Sequence, residues 1–126
     1  MIIGLGTDIA ECARFRDIWE RFGLRFAKRI LTEAELAAMP ANDPALYLAS
    51  RFAVKEAAVK ALGTGFSDGI GCRDAGLLKS PSGAPELVLS GKALEKARAL
   101  GVVRTHVSYS HEKSCAVAVV ILEGAR

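Results

Sequence analysis

The chain has 126 residues, 51% of them apolar, with 17 basic and 14 acidic side chains giving a net charge of +3. That length and apolar content suit one compact domain with a single core, and the charge is too mild to indicate nucleic acid by itself. Cys12, Cys72 and Cys115 are far apart and odd in number, which disfavours a disulfide framework or zinc knuckle, and no apolar run approaches the roughly 20 residues that span a bilayer.

The N-terminal MIIGLG has no charged segment before its short apolar run, so it is not read as a signal peptide, and the cytoplasm is the expected compartment. Residues 2–6 predict a short buried strand. Asp8 followed by Glu11 forms a capping-box-like entry to a helix over about 9–22, which carries Ile9, Phe15, Ile18, Trp19 and Phe22. Arg14, Arg16, Arg21 and Arg25 are interspersed among them. LTEAEL (31–36) starts a second helix, with Thr32 as the cap and Glu35 three residues on.

MPANDP then makes a loop, and a third helix runs from about Pro44 to Leu62 before the glycine stop at Gly63. Residues 66–76 are glycine-rich and irregular. LLKSPSGAPELVLS (77–90) reads as strand, turn and strand, and GKALEKARALG (91–101) as a helix. THVSYSHEKSCAVAVVIL closes the chain as a β-hairpin. Helices come first and strands mainly later, so the expected fold is α+β: a single domain over 1–126, with a mostly antiparallel sheet packed on a long central helix.

RFAVKEAAVKALGTG (51–65) holds the first candidate chemistry. Glu56 and Lys60 lie about 40° apart on a helical wheel, away from the core side marked by Leu48, Phe52, Val59 and Leu62. Ala49 and Ala53 beside them leave a shallow groove. The plainer reading is a helix-stabilising ion pair contributing about 0.2–0.5 kcal/mol. Asp8 is equally double: a helix N-cap contributing on the order of 1 kcal/mol, or one of the carboxylates that hold Mg²⁺ beside substrate phosphates. Gly4-x-Gly6 lacks the third glycine of a dinucleotide fingerprint, and neither Gly63 nor Gly65 continues into a Walker A sequence. His106, Ser108 and Ser110 share one strand face while His111 points the other way, so the two histidines are a poor metal pair. No serine sits in a nucleophile elbow.

Four stretches taken together carry a resemblance. GLGTDIAECARF (4–15), RFAVKEAAVKALGTGF (51–66), SPSGAPEL (80–87) and HVSYSHEKSCAVAVVIL (106–122) closely resemble the holo-[acyl-carrier-protein] synthases in order, spacing and total length. The resemblance implies transfer of 4′-phosphopantetheine from coenzyme A, as substrate, to a serine of apo acyl carrier protein in fatty acid biosynthesis. Adenosine 3′,5′-bisphosphate is released and Mg²⁺ is required.

Carried over by position, Asp8 and Glu56 look like the metal-binding carboxylates and Lys60 a pyrophosphate contact. Gly63, Thr64 and Gly65 would bring backbone amides and a hydroxyl close to a phosphate. His106 would bind coenzyme A, Arg51 the nucleotide 3′-phosphate, and the turn from Pro81 to Pro85 would lie near the adenine. The proton of the carrier serine would pass to Glu56 or to a metal-bound water. The resemblance also makes the first helix, with Arg14, Arg21 and Arg25 around Ile18 and Phe22, the docking face for the acidic carrier, and makes the assembly a homotrimer. Two rival readings are a basic module docking an acidic protein or nucleic acid, and a coenzyme A binder without transfer activity. The nucleic-acid version lacks a named motif and an aromatic stacking platform.

Overall fold

In the computed structural model, which describes residues 1–126, five helices pack against two antiparallel sheets. Strand β1 (Ile2–Glu11) leads into α1 (Cys12–Phe22), α2 (Leu24–Ile30), α3 (Glu33–Ala38) and the long α4 (Ala45–Leu62). A two-stranded ribbon follows, β2 (Ala75–Lys79) with β3 (Pro85–Leu89), then α5 (Gly91–Leu100) and the hairpin β4 (Val102–His111) with β5 (Cys115–Gly124). The second sheet has the order β1-β5-β4, so the first and last strands of the chain are neighbours. The α+β expectation holds, with two sheets instead of one. No helix is long and apolar enough to cross a membrane.

Local sequence explains most of these elements. Thr32 and Glu35 form the expected capping box, each side chain accepting from the other's backbone N–H at 3.2 and 2.9 Å. Helix α4 ends where Gly63 adopts the left-handed conformation, with φ of 78°.

The start of the chain differs from the expectation. β1 runs on to Glu11 because its backbone pairs residue for residue with β5, from Leu5 opposite Ile121 to Glu11 opposite Cys115. Asp8 therefore lies inside a strand, opposite Ala118, and is not a helix cap. α1 begins at Cys12 with no side-chain cap. Gly23, at φ 54°, then breaks the helical run and puts Arg25 on α2.

α4 is buried almost all round, packed on the inner face of the three-stranded sheet and on the ribbon beyond. Ala49 and Ala53 are fully buried, so the shallow groove expected beside them is filled by the fold. A Cβ placed on Gly4 would lie 2.0 Å from the Ala61 carbonyl oxygen, and one on Gly6 would lie 1.9 Å from that of Ala57. The Gly4-x-Gly6 pair thus exists to let β1 touch the helix backbone. The sheet's other face is apolar and uncovered: Leu5 is 64% and Ile9 68% exposed, beside Val117, Val119 and Ile121.

Candidate active site

The close approach of β1 to α4 brings Asp8 to the last two turns of the helix. Lys60 Nζ lies 3.0 Å from Asp8 Oδ1 and 3.0 Å from the Thr7 carbonyl oxygen. Lys60 is thus engaged across to the strand, where the plainer sequence reading had it pairing with Glu56 along the helix. Glu56 is half-buried, and its carboxyl is held above the usual carboxylate range, first by burial and then by the Asp8 charge, with Lys60 and Arg14 opposing. Two carboxylates and an ammonium from elements some fifty residues apart therefore share one electrostatic site.

No cluster of three or more His, Cys, Asp or Glu side chains is arranged to hold a metal. Asp8 and Glu56 nonetheless fit Mg²⁺, which is commonly held by one or two protein carboxylates while substrate phosphates and water complete its shell. Burial first, and the Asp8 charge second, disfavour an ionised Glu56, and a bound cation would offset both.

Gly63, Thr64 and Gly65 follow directly at the helix end, where their amides have partners within the chain. The N–H of Gly63 donates to the Lys60 carbonyl at 3.0 Å, and those of Thr64 and Gly65 both donate to the Val59 carbonyl, at 3.1 and 3.2 Å. The Thr64 hydroxyl donates to the Gly65 carbonyl at 2.8 Å. The three amides serve to close the helix, whose C-terminal end carries partial negative charge, while the hydroxyl bonds within the loop beyond it. What the glycines provide is room: a Cβ at either would meet nothing within 4 Å.

His106 and Pro85 both line a cleft of about 420 Å³, with Arg104 and Thr105. His106 is on the outer face of the sheet, paired with Ile121, whereas Asp8 is on the inner face. With β5 between them, their strands are about 10 Å apart across the sheet, and His106, opposite Ile121, is also displaced along the strand from the level of Asp8 and Ala118. Within one copy of the chain, then, the two sets of candidate residues face opposite sides.

Arg51 joins neither set. It is 9% exposed, its guanidinium 4.1 Å from the Tyr47 ring centre and 5.3 Å from that of Tyr109, and it lines a different cavity, of about 600 Å³. Nη1 lies 3.5 Å from the Tyr109 hydroxyl, and Nε has no partner.

The arginines of the first helical run also divide. Arg21 and Arg25 flank the ring of exposed Phe22 at 5.6 and 5.9 Å, and Arg25 lines a groove of about 260 Å³ with Ile18, Phe22, Phe26 and Arg29. Arg14 stacks instead over Phe15 and Phe52, close enough to Glu56 to lower its pKa.

Sequence reasoning missed Glu123, whose Oε1 is 2.9 Å from His106 Nε2; that hydrogen bond holds its carboxyl below the ordinary range. Counting strand register from the hairpin turn could have found it, because Glu123 falls on the same outer face as Ile121. It also missed Lys55, which reads as one more charge on a helix yet is fully buried against Glu35.

Comparison with known proteins bears on this geometry. The family model described as 4′-phosphopantetheinyl transferase superfamily matches residues 4–120. A holo-[acyl-carrier-protein] synthase of Nitratidesulfovibrio vulgaris strain DP4 is 60% identical over 123 residues, which are 98% of this chain and 99% of that protein. The crystal structure of a holo-[acyl-carrier-protein] synthase from Neisseria meningitidis is 42% identical, with a TM-score of 0.87 over 98% of this chain and 99% of the other. The Helicobacter pylori enzyme of the same description, solved in complex with coenzyme A, is 32% identical, with a TM-score of 0.83 over 94% and 99% of the two chains.

Proposed function

The chain belongs to the 4′-phosphopantetheinyl transferase superfamily, and from that premise we propose that it is an Mg²⁺-dependent holo-[acyl-carrier-protein] synthase. It transfers 4′-phosphopantetheine from coenzyme A to a serine of apo acyl carrier protein, releases adenosine 3′,5′-bisphosphate, and serves fatty acid biosynthesis in the cytoplasm. The observation that carries this reading is the meeting of Asp8, Glu56 and Lys60 across β1 and α4, beside the open glycine end of the helix. A pure binding module has no need of that set.

Asp8 and Glu56 would hold the metal. Bound there, Mg²⁺ supplies neutralisation of the pyrophosphate charge and polarisation of the attacked phosphorus. Lys60 already places an ammonium at the site, and its half-exposed side chain can turn from Asp8 to a phosphate oxygen. The serine proton would pass to Glu56 or to a metal-bound water. The groove at Ile18 and Phe22, edged by Arg21 and Arg25, receives the acidic carrier, its cations speeding encounter and fixing orientation. Arg14 would complete this basic face, and its charge also acts on Glu56.

Coenzyme A is long enough to contact both sets of candidate residues only if they face one space, and in one protomer they do not. We therefore place the site between copies of a homotrimer, one copy giving Asp8, Glu56 and Lys60 and its neighbour giving His106 and Pro85. Arg51 is assigned to the neighbour's side as a contact for the 3′-phosphate, which requires it to leave its tyrosine partners. The uncovered apolar face around Leu5, Ile9 and Val117 is the surface that association would bury.

The deciding experiment incubates the protein with apo carrier protein, coenzyme A and Mg²⁺ and reads the carrier's mass. Gain of one phosphopantetheine, lost on adding a chelator, is expected. An unmodified carrier, or modification indifferent to the chelator, would overturn the reading.

A further inference from the structure

Lys55 immediately precedes Glu56, yet its side chain points away from the candidate site and is wholly buried. Its ammonium donates to Glu35 Oε1 at 2.6 Å and to the Ala75 carbonyl at 2.8 Å. Glu35, equally buried, also accepts the Thr32 N–H on Oε1 at 2.9 Å and the Leu77 N–H on Oε2 at 3.0 Å. One ion pair thus ties α4 to the cap of α3 and to two residues of β2.

The opposite side of α4 is held very differently. It meets β1 through glycines laid on the backbone at Ala57 and Ala61. Such a contact sets how close the two elements lie. Its closest contacts there are backbone to backbone, and the polar link across it is Lys60 with Asp8 and the Thr7 carbonyl. Each residue of a helix advances 1.5 Å and turns 100°. A slip of one position would therefore present Lys55 or Ala57 to Asp8 in place of Glu56.

A buried ion pair is weak evidence for stability, since apolar replacement of both partners is often neutral or stabilising, whereas its directionality can specify one arrangement. We propose that the Lys55–Glu35 pair is a positioning device that fixes the axial and rotational setting of α4, so that Glu56 and Lys60 meet Asp8. Lys55 itself touches no substrate. The proposal rests on the reading that Asp8 and Glu56 hold the metal.

The test compares the wild-type chain with the double variant Lys55→Met/Glu35→Leu, which leaves no orphan charge, and with Glu35→Gln, which keeps the side-chain shape. Thermal unfolding, Mn²⁺ binding by electron paramagnetic resonance with coenzyme A present, and kcat and KM for carrier protein are measured on each. The double variant is expected to unfold cooperatively at or above the wild-type temperature. Its Mn²⁺ affinity and kcat fall by roughly 10–100-fold, the range seen when groups supporting metal ligands are removed. KM for carrier stays within about twofold, because the docking groove lies on other elements. Glu35→Gln moves Mn²⁺ affinity in the same direction by a smaller factor.

A folded double variant with wild-type Mn²⁺ affinity and kcat overturns the proposal. So does a double variant that fails to fold while Glu35→Gln binds Mn²⁺ normally, since the pair would then only support the fold. A shift in Glu35→Gln upholds it even if the double variant does not fold. A wild-type chain with no metal-dependent transfer removes the reading of the site, and this proposal with it; an active wild type beside unaffected variants removes the proposal alone.

Discussion

Lys60 Nζ and Asp8 Oδ1 stand 3.0 Å apart, an ion pair that joins the last turn of α4 to the middle of β1. Asp8 holds its place through strand pairing with Ala118, so its carboxyl is free of any capping duty. Asp8→Asn should accordingly fold, losing no more than about 1 kcal/mol with its partly exposed ion pair. Transfer should fall by about 100-fold or more as metal binding weakens. Chemical denaturation together with the carrier mass assay checks both halves; an unfolded variant, or full activity with Mg²⁺, contradicts the assignment.

Gly6→Ala should be among the most disruptive small substitutions in the chain. Its new methyl would lie 1.9 Å from the Ala57 carbonyl oxygen and 2.7 Å from the Ala61 nitrogen, both backbone atoms that cannot swing aside. Lifting β1 from α4 should cost about 3 kcal/mol or more, and should also carry Asp8 away from Glu56. Gly71→Ala, where an added Cβ meets nothing within 4 Å, serves as the control and should shift the denaturation midpoint little.

Glu56 should cost stability at neutral pH. Burial and the Asp8 charge raise its pKa in the folded protein above the ordinary 4.5. Folding therefore favours the protonated form: the associated stability is fully present below the unfolded pKa and is lost as pH rises through the folded one. Glu56→Gln, permanently neutral, should melt higher than wild type at pH 7.5, and the gap should close as pH falls below about 4.5, the ordinary value. A constant gap across that range would show that Glu56 ionisation is not its source. The same variant should lose transfer activity.

Arg21→Glu and Arg25→Glu should place like charge against an acidic carrier while leaving the cleft at His106 and Pro85 untouched. Each should raise KM for carrier by about tenfold at low salt, with a smaller effect at high salt. KM for coenzyme A should not move. Arg14→Glu should behave differently, lowering kcat as well, because Arg14 also acts on Glu56. Steady-state kinetics varied in each substrate separates the cases.

If one copy supplies Lys60 and its neighbour His106, two inactive variants should rescue one another. Lys60→Ala and His106→Ala, each nearly inactive alone, should recover a measurable share of activity after joint unfolding and refolding, since some neighbours then combine intact Lys60 with intact His106. Analytical ultracentrifugation should give three copies for the wild type. A monomeric active protein, or no recovery on mixing, contradicts the shared site.

Several parts of this molecule could be read from neighbouring residues alone, because the forces that set them act within a few positions. The capping box at Thr32 and Glu35, the span of α4 with its stop at Gly63, helix α5 and the closing hairpin all depend on local hydrogen bonds and periodicity. The set of Asp8, Glu56 and Lys60 was legible through its resemblance, since spacing alone left each residue with a plainer explanation.

Tertiary structure decided the rest, and for one reason: the partner that settles each question lies far along the chain. β1 continues through Asp8 because β5, more than a hundred residues on, offers it a hydrogen-bonding edge. Lys60 turns to Asp8, and not to Glu56 on its own helix, because the glycines of β1 allow the strand to reach it. The amides of Gly63 to Gly65 are consumed by the helix they end. Lys55 differs from Lys60 only in where the fold buries it, and that difference makes one an internal tie and leaves the other at the candidate site.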